Sequence, residues 1–199
     1  MNTNISRHIH LYTESSPNPD SIKIVLNLVL SPEGKDFNFL RGDSGVAQSP
    51  LADALFSGFG WISQVFIMNN FITITRDSDA DWYELLSEVK PFIKAWFEEK
   101  KPVFVFADET AMQSAVSGRQ PGNETEKQII EVLEEYVRPA VESDGGAIAF
   151  HSFHDGVVQV ELRGSCSGCP SSALTLKQGI ENLLTRMVPE VREVVALNR

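Results

Sequence analysis

Val157-Val158-Gln159-Val160-Glu161-Leu162-Arg163-Gly164-Ser165-Cys166-Ser167-Gly168-Cys169-Pro170-Ser171-Ser172 runs from an alternating apolar strand into a loop of small residues and then, at Pro170, into a helical pattern. Val158, Val160 and Leu162 share one face of that strand, as period-two alternation requires. Both cysteines of the chain sit in the loop, three positions apart. Proline in the first turn marks the start of the following helix. A short loop at a helix start offers two thiolates free backbone N–H groups and the positive end of the helix dipole, which favours metal ligation and a lowered thiol pKa. The Cys-x-x-Cys spacing alone is shared by zinc sites, thioredoxin-like dithiols and iron–sulfur sites.

Working outward, Ala147 to Phe153 and Val157 to Leu162 form a hairpin about Asp155-Gly156, a favoured tight-turn pair. Upstream, a helix begins at Glu124 with Ile130, Leu133, Val137 and Val141 on one face. Its acids, Glu124, Glu126, Glu131, Glu134 and Glu135, read as a solvated face, and Asp144-Gly145-Gly146 ends it. Downstream, Leu176, Ile180, Leu183, Leu184 and Met187 mark a helix stopping before Pro189, and Val191 to Leu197 is a last strand. The order helix, strand, strand, helix, strand assigns residues 124–199 to one small α+β domain with a three-stranded sheet. Residues 108–123, small, polar and punctuated by Gly and Pro, read as a linker.

Residues 1–107 make a second small α+β domain. Its first twenty residues read as an extended lead-in, with His8 and His10 solvated. Ile22 to Leu30 alternates as a strand, and a polar stretch follows. Ser49-Pro50-Leu51 opens a short helix with Ser49 as N-cap. Val65 to Met68 and Phe71 to Thr75 are strands joined at Asn69-Asn70. From Asp81 to about Glu99 a helical stripe runs through Leu85, Leu86, Val89, Ile93, Trp96 and Phe97, with Pro91 expected to kink it. Trp61, Trp82 and Trp96 read as core side chains. Gly42-Asp43-Ser44-Gly45 resembles a serine-protease nucleophile segment but lacks the all-β pattern around it, and Gly58-Phe59-Gly60 is too little for a dinucleotide fingerprint.

The chain has 199 residues and a formal net charge of -10, and acids outnumber bases on either side of residue 107. That balance opposes nucleic-acid and anionic-membrane partners, since phosphate contacts need clustered Lys and Arg. No apolar run approaches a membrane span. With no span and no basic amphipathic lead-in, the expected location is the cytoplasm. Two cysteines in such a chain exclude a disulfide framework and favour a metal or redox role. Asn123-Glu124-Thr125 matches a glycosylation acceptor by accident in that setting.

A four-thiolate site needs four sulfurs and one chain offers two, so ligand counting predicts a dimer across a symmetry axis. Such a site should be exposed and readily surrendered, which suits transfer. Three readings stay open. One is an iron–sulfur carrier. Another is a dithiol–disulfide oxidoreductase, disfavoured because its motif normally lies in a βαβ framework whereas this one follows a hairpin. The third is a zinc-stabilised interaction module; His151 and His154 are candidate fellow ligands, though their spacing is short and their order reversed.

With these residues placed, residues 124–197 closely resemble the NifU-like (Nfu) iron–sulfur scaffold domain, in Asp144-Gly145-Gly146, the hairpin, Gly164 to Ser172, and Thr175-Leu176-Lys177-Gln178-Gly179-Ile180-Glu181. The first half resembles the N-terminal domain of the same family, in Pro17-Asn18-Pro19-Asp20-Ser21-Ile22-Lys23, Ser49-Pro50-Leu51-Ala52 and Phe71-Ile72-Thr73-Ile74-Thr75. The resemblance implies a non-enzymatic scaffold or carrier in which Cys166 and Cys169 ligate a [4Fe-4S] cluster bridging two subunits. It also implies a homodimer when loaded, with upstream cluster-assembly proteins and apo iron–sulfur proteins as partners. The first domain, lacking cysteine, is then a docking or specificity module.

Overall fold

The structure is a computed structural model that describes residues 8–32, 34–106, 121–167 and 170–198, without the side chains of 170–173 and 198. Gly168, Cys169, residues 1–7 of the expected lead-in and residues 107–120 of the expected linker lie outside the described residues. The fold class is α+β, in two parts that each pair a sheet with helices over a separate apolar core.

The first part comprises β1 (Leu11–Ser15), β2 (Ser21–Leu26), β3 (Asp36–Leu40), α1 (Pro50–Gly58), β4 (Ile62–Met68), β5 (Phe71–Arg76) and α2 (Trp82–Glu98). Its strands form an antiparallel sheet in the order β1-β2-β5-β4-β3. Alternation sends Ile24, Val65, Ile67, Ile72 and Ile74 to the face covered by α1 and α2, where Leu51, Leu55, Val89 and Ile93 complete the core. The opposite face carries Lys23, Val25, Gln64, Phe66 and Thr73, and it too is buried.

Local chemistry accounts for these elements. Ser49 caps α1, its Oγ accepting from Ala52 N at 3.2 Å and donating to Val103 O at 2.8 Å. Asn69 takes φ 47° in the β4–β5 turn, a left-handed conformation that Asn tolerates. Asp81 caps α2, which continues through Pro91 to Glu98. The tryptophans are half-buried at the margin of this core and not inside it: Trp82 donates to Pro19 O at 2.9 Å and stacks against the Arg76 guanidinium.

Three expectations are corrected here. The lead-in contains β1, an edge strand paired with β2. The polar stretch after Ile22–Leu30 contains β3, whose Phe37 and Phe39 point into the core. The Ile22–Leu30 strand stops at Leu26, because the Asn27 side chain accepts from His10 N at 3.0 Å and donates to His8 O at 2.9 Å, drawing the chain out of register.

The second part comprises α3 (Glu124–Val132), a π-helical turn (Leu133–Val137), α4 (Arg138–Ser143), β6 (Gly146–His154), β7 (Val157–Gly164), α5 (Pro170–Met187) and β8 (Glu193–Asn198). The expected three-stranded sheet is present, and its order is β6-β7-β8. β6 and β7 are antiparallel, whereas β7 and β8 are parallel, so α5 is a crossover. Asp155 and Gly156 turn the hairpin with φ 49° and 82°. The expected single helix from Glu124 contains the π turn just before Pro139, which has no N–H to keep the regular ladder. Glu126 is corrected from the solvated face: it is 4% exposed. Its carboxylate accepts from Gly122 N while Asn123 Oδ1 accepts from Glu126 N, so Asn123 of the apparent glycosylation acceptor is the N-cap of α3.

Candidate functional site

The cysteine loop leaves the C-terminal end of β7, the central strand of its sheet. Gly164 closes that strand with φ 64°, and a Cβ there would stand 2.7 Å from Gly145 O and 2.9 Å from the Phe66 ring. Glycine is required on both counts. Ser165 N and Ser167 N then donate to Gly145 O and Gly164 O, and Ser165 Oγ donates to Asp144 O at 2.7 Å, which winds the loop tightly around the end of α4.

Cys166 is 7% exposed. Its Sγ lies against Gly146, where an added Cβ would approach to 2.7 Å, so the glycine supplies the space that the sulfur fills. The expectation of a lowered pKa is corrected for this residue. Burial pushes the Cys166 thiol up to about 11; the Ser165 hydroxyl 3.8 Å away opposes that shift, and the Asp144 charge adds to it. Desolvation of the thiolate outweighs the helix-start advantage. Metals bind the thiolate, so the covering of Cys166 and its raised pKa both oppose ligation in this arrangement of the loop. The site was expected to be exposed, and Cys166 is not; Cys169 lies outside the described residues.

His151 and His154 do not join it. Both are exposed, and His154 pairs with Val157 at the far end of the hairpin. About seven strand residues at about 3.4 Å each put it roughly 24 Å from the loop, far beyond the ~2 Å a shared zinc ion needs. The topological ground against a dithiol enzyme falls, however. β7, the loop, α5 and the parallel β8 are a β-α-β unit. What opposes that chemistry is the raised Cys166 pKa, the reverse of an attacking thiol.

The site also includes residues that sequence reading placed elsewhere. Gln64 Nε2 donates to Ser167 Oγ at 3.0 Å from the other sheet, and Ser167 Oγ donates to Gly164 O at 2.9 Å. Sequence reading began β4 at Val65 and so left Gln64 outside it, whereas the strand starts at Ile62.

Comparison with known proteins follows the same division. Residues 11–100 match the family described as scaffold protein Nfu/NifU N terminal, and residues 129–195 match the NifU-like domain. The chain belongs to the NifU-like (Nfu) family. The NFU1 iron-sulfur cluster scaffold homolog, mitochondrial, of Drosophila persimilis is 36% identical over 188 residues, covering 94% of this Nfu chain and 65% of the relative. The protein of the same name from Drosophila ananassae is 34% identical over 189 residues, covering 95% and 64%. This chain thus spans just under two-thirds of the length of these curated relatives. A NifU-like protein from Saccharomyces cerevisiae, solved by NMR, aligns with TM-score 0.46 at 20% identity, over 52% of this chain and 91% of that one.

These relatives overturn the cytoplasmic expectation, since each is named mitochondrial. No helix among the described residues is long and apolar enough to cross a membrane. That fact carries no information about which aqueous compartment a chain occupies.

Proposed function

We propose that this Nfu chain is an iron–sulfur cluster scaffold and carrier, non-enzymatic, with a [4Fe-4S] cluster as its cargo. Cys166 and Cys169 of one copy supply half the thiolates and a second copy the rest, and the loaded homodimer passes the cluster to apo-proteins. The domain division that goes with this reading is 1–107 as a docking module, 108–123 as linker and 124–199 as the cluster-binding domain.

The observation that carries the proposal is the position of Cys166. It stands on a short glycine-cradled loop at the end of a central strand, in a chain with only two cysteines. The role printed in the relatives' names supports it. Anaerobic reconstitution of the full chain tests it: iron and sulfide in about equal amounts, about one cluster per two chains and a dimeric mass are expected. One cluster per monomer, or an unchanged cluster in Cys166→Ala, contradicts it. The β-α-β setting of the loop favours a second reading, a dithiol oxidoreductase, which requires metal-free protein to reduce an insulin-type disulfide.

A further inference from the structure

The outer face of the first sheet reaches the cysteine loop on both sides of Cys166. Thr73 Oγ1 donates to Gly145 O at 2.6 Å, and Phe66 closes over Gly164. Beyond the cysteine, Gln64 holds the Ser167 hydroxyl and Asn18 Nδ2 donates to Ser167 O at 3.4 Å. Lys23 Nζ lies 2.9 Å from Ser143 O and 3.3 Å from Glu142 O, capping the C-terminal end of α4 from the other part of the molecule. Asp36 pairs with Arg163 at 2.8 Å, with both side chains nearly buried. Val25, Phe66, Met68 and Phe71 meet Ala147 in a small apolar patch between these bonds.

We infer that this face of β2, β4 and β5 is a docking surface for the chain's own cysteine loop, and that it works as a removable cap over Cys166. The make-up of the contact argues for removal. Polar bonds surround a patch of a few apolar side chains, while the two main cores remain distinct, which is the composition of a separable domain contact. Its targets argue for a cap. The sheet grips Gly145, Gly164 and Ser167, which frame Cys166, so the loop backbone cannot carry its sulfur out toward a second copy while those bonds hold. A cluster shared between two copies needs that sulfur at the surface, so capping and sharing exclude one another. The inference does not rest on the carrier reading, because a covered Cys166 is gated whatever the loop binds.

The test uses metal-free full chain carrying Cys169→Ser, which leaves Cys166 as the single thiol, and reads its rate of alkylation by iodoacetamide at fixed pH. From residues outside the second part, Gln64→Ala removes the bonding to Ser167 Oγ and Thr73→Val removes the bond to Gly145 O, around which the loop is wound. Loss of a buried partner of this kind is expected to raise the rate about tenfold for each, and more for the pair. Ser49→Ala weakens the first part on its far side without touching the contact and should leave the rate unchanged. Far-UV circular dichroism establishes that every variant is folded. Unchanged alkylation in folded Gln64→Ala/Thr73→Val overturns the inference, since the second part alone then covers Cys166. An equal rise in Ser49→Ala overturns it as well, by tracing the effect to general loosening. Both outcomes are read without any cluster and leave the carrier reading to its own reconstitution test.

Discussion

Gly146→Ala is the most informative single substitution in the cysteine site. The backbone φ at Gly146 is not in the left-handed region, so alanine is conformationally allowed and the cost is purely steric. The new methyl would stand 2.7 Å from both Arg163 O and Cys166 Sγ, where about 3.4 Å or more is ordinary contact. The two neighbours respond differently. Arg163 O belongs to the β6–β7 ladder, which pairs Gly146 with Gly164 and Ala147 with Arg163, and it cannot retreat without breaking that pairing. The sulfur can leave by rotating about χ1. Overpacking of this kind costs about 1–3 kcal/mol, and part of it is relieved by expelling Cys166 from its pocket. Urea denaturation followed by far-UV circular dichroism should therefore show a lowered midpoint with an unchanged slope. The thiol of a Cys169→Ser background should react faster in the same variant. Tryptophan fluorescence is the wrong probe, because Trp61, Trp82 and Trp96 all belong to the first part. A variant as stable as its parent, with an equally slow thiol, would refute the account of Gly146 as the sulfur's cradle.

Other consequences follow from the same geometry. Gly179→Ala should stabilise the second part by about 0.5–1 kcal/mol, because Gly179 is exposed within α5 and an added Cβ meets nothing within 4 Å; calorimetry or urea denaturation reads the gain. Ser49→Ala should cost the first part about 1–2 kcal/mol, through loss of both the α1 cap and the bond to Val103 O, seen as an earlier tryptophan fluorescence transition. The Cys166 pKa is raised in the folded chain, so its neutral form stabilises the fold below the unfolded value near 9.0, and that contribution disappears as pH climbs toward 11. In metal-free Cys169→Ser protein this amounts to about 2–3 kcal/mol lost across that window, measured as a falling urea midpoint that Cys166→Ala should flatten.

Several elements were legible because each carried its own local signal: Asp155-Gly156 between alternating runs, Asp144-Gly145-Gly146 after an amphipathic helix, and, in the first part, Ser49-Pro50 at a helix start. The edge strands were not. Leu11–Ser15 buries none of its residues fully, and Asp36–Leu40 buries only two of its five, Phe37 and Phe39. Edge strands draw on a neighbour's ladder more than on their own pattern. The covering of Cys166 was hidden for a different reason. Gly145 and Gly164 read as turn residues, and they are, but their missing side chains also let a second sheet come within van der Waals distance of the loop. A chain-local reading cannot distinguish a glycine that bends from one that makes way. Gln64 and Thr73, the side chains that come in, lie 103 and 72 residues upstream of their partners Ser167 and Gly145.

Sheet and loop belong to one polypeptide, so the contact between them is a first-order event whose strength is the same in a dilute and a concentrated solution. An encounter between the loops of two copies is second-order and gains with every increase in protein level. In the proposed dimeric carrier, the balance between a guarded thiol and a paired one would therefore shift with abundance: scarce protein would keep its sulfur shielded from stray metals and oxidants, and plentiful protein would favour partnership.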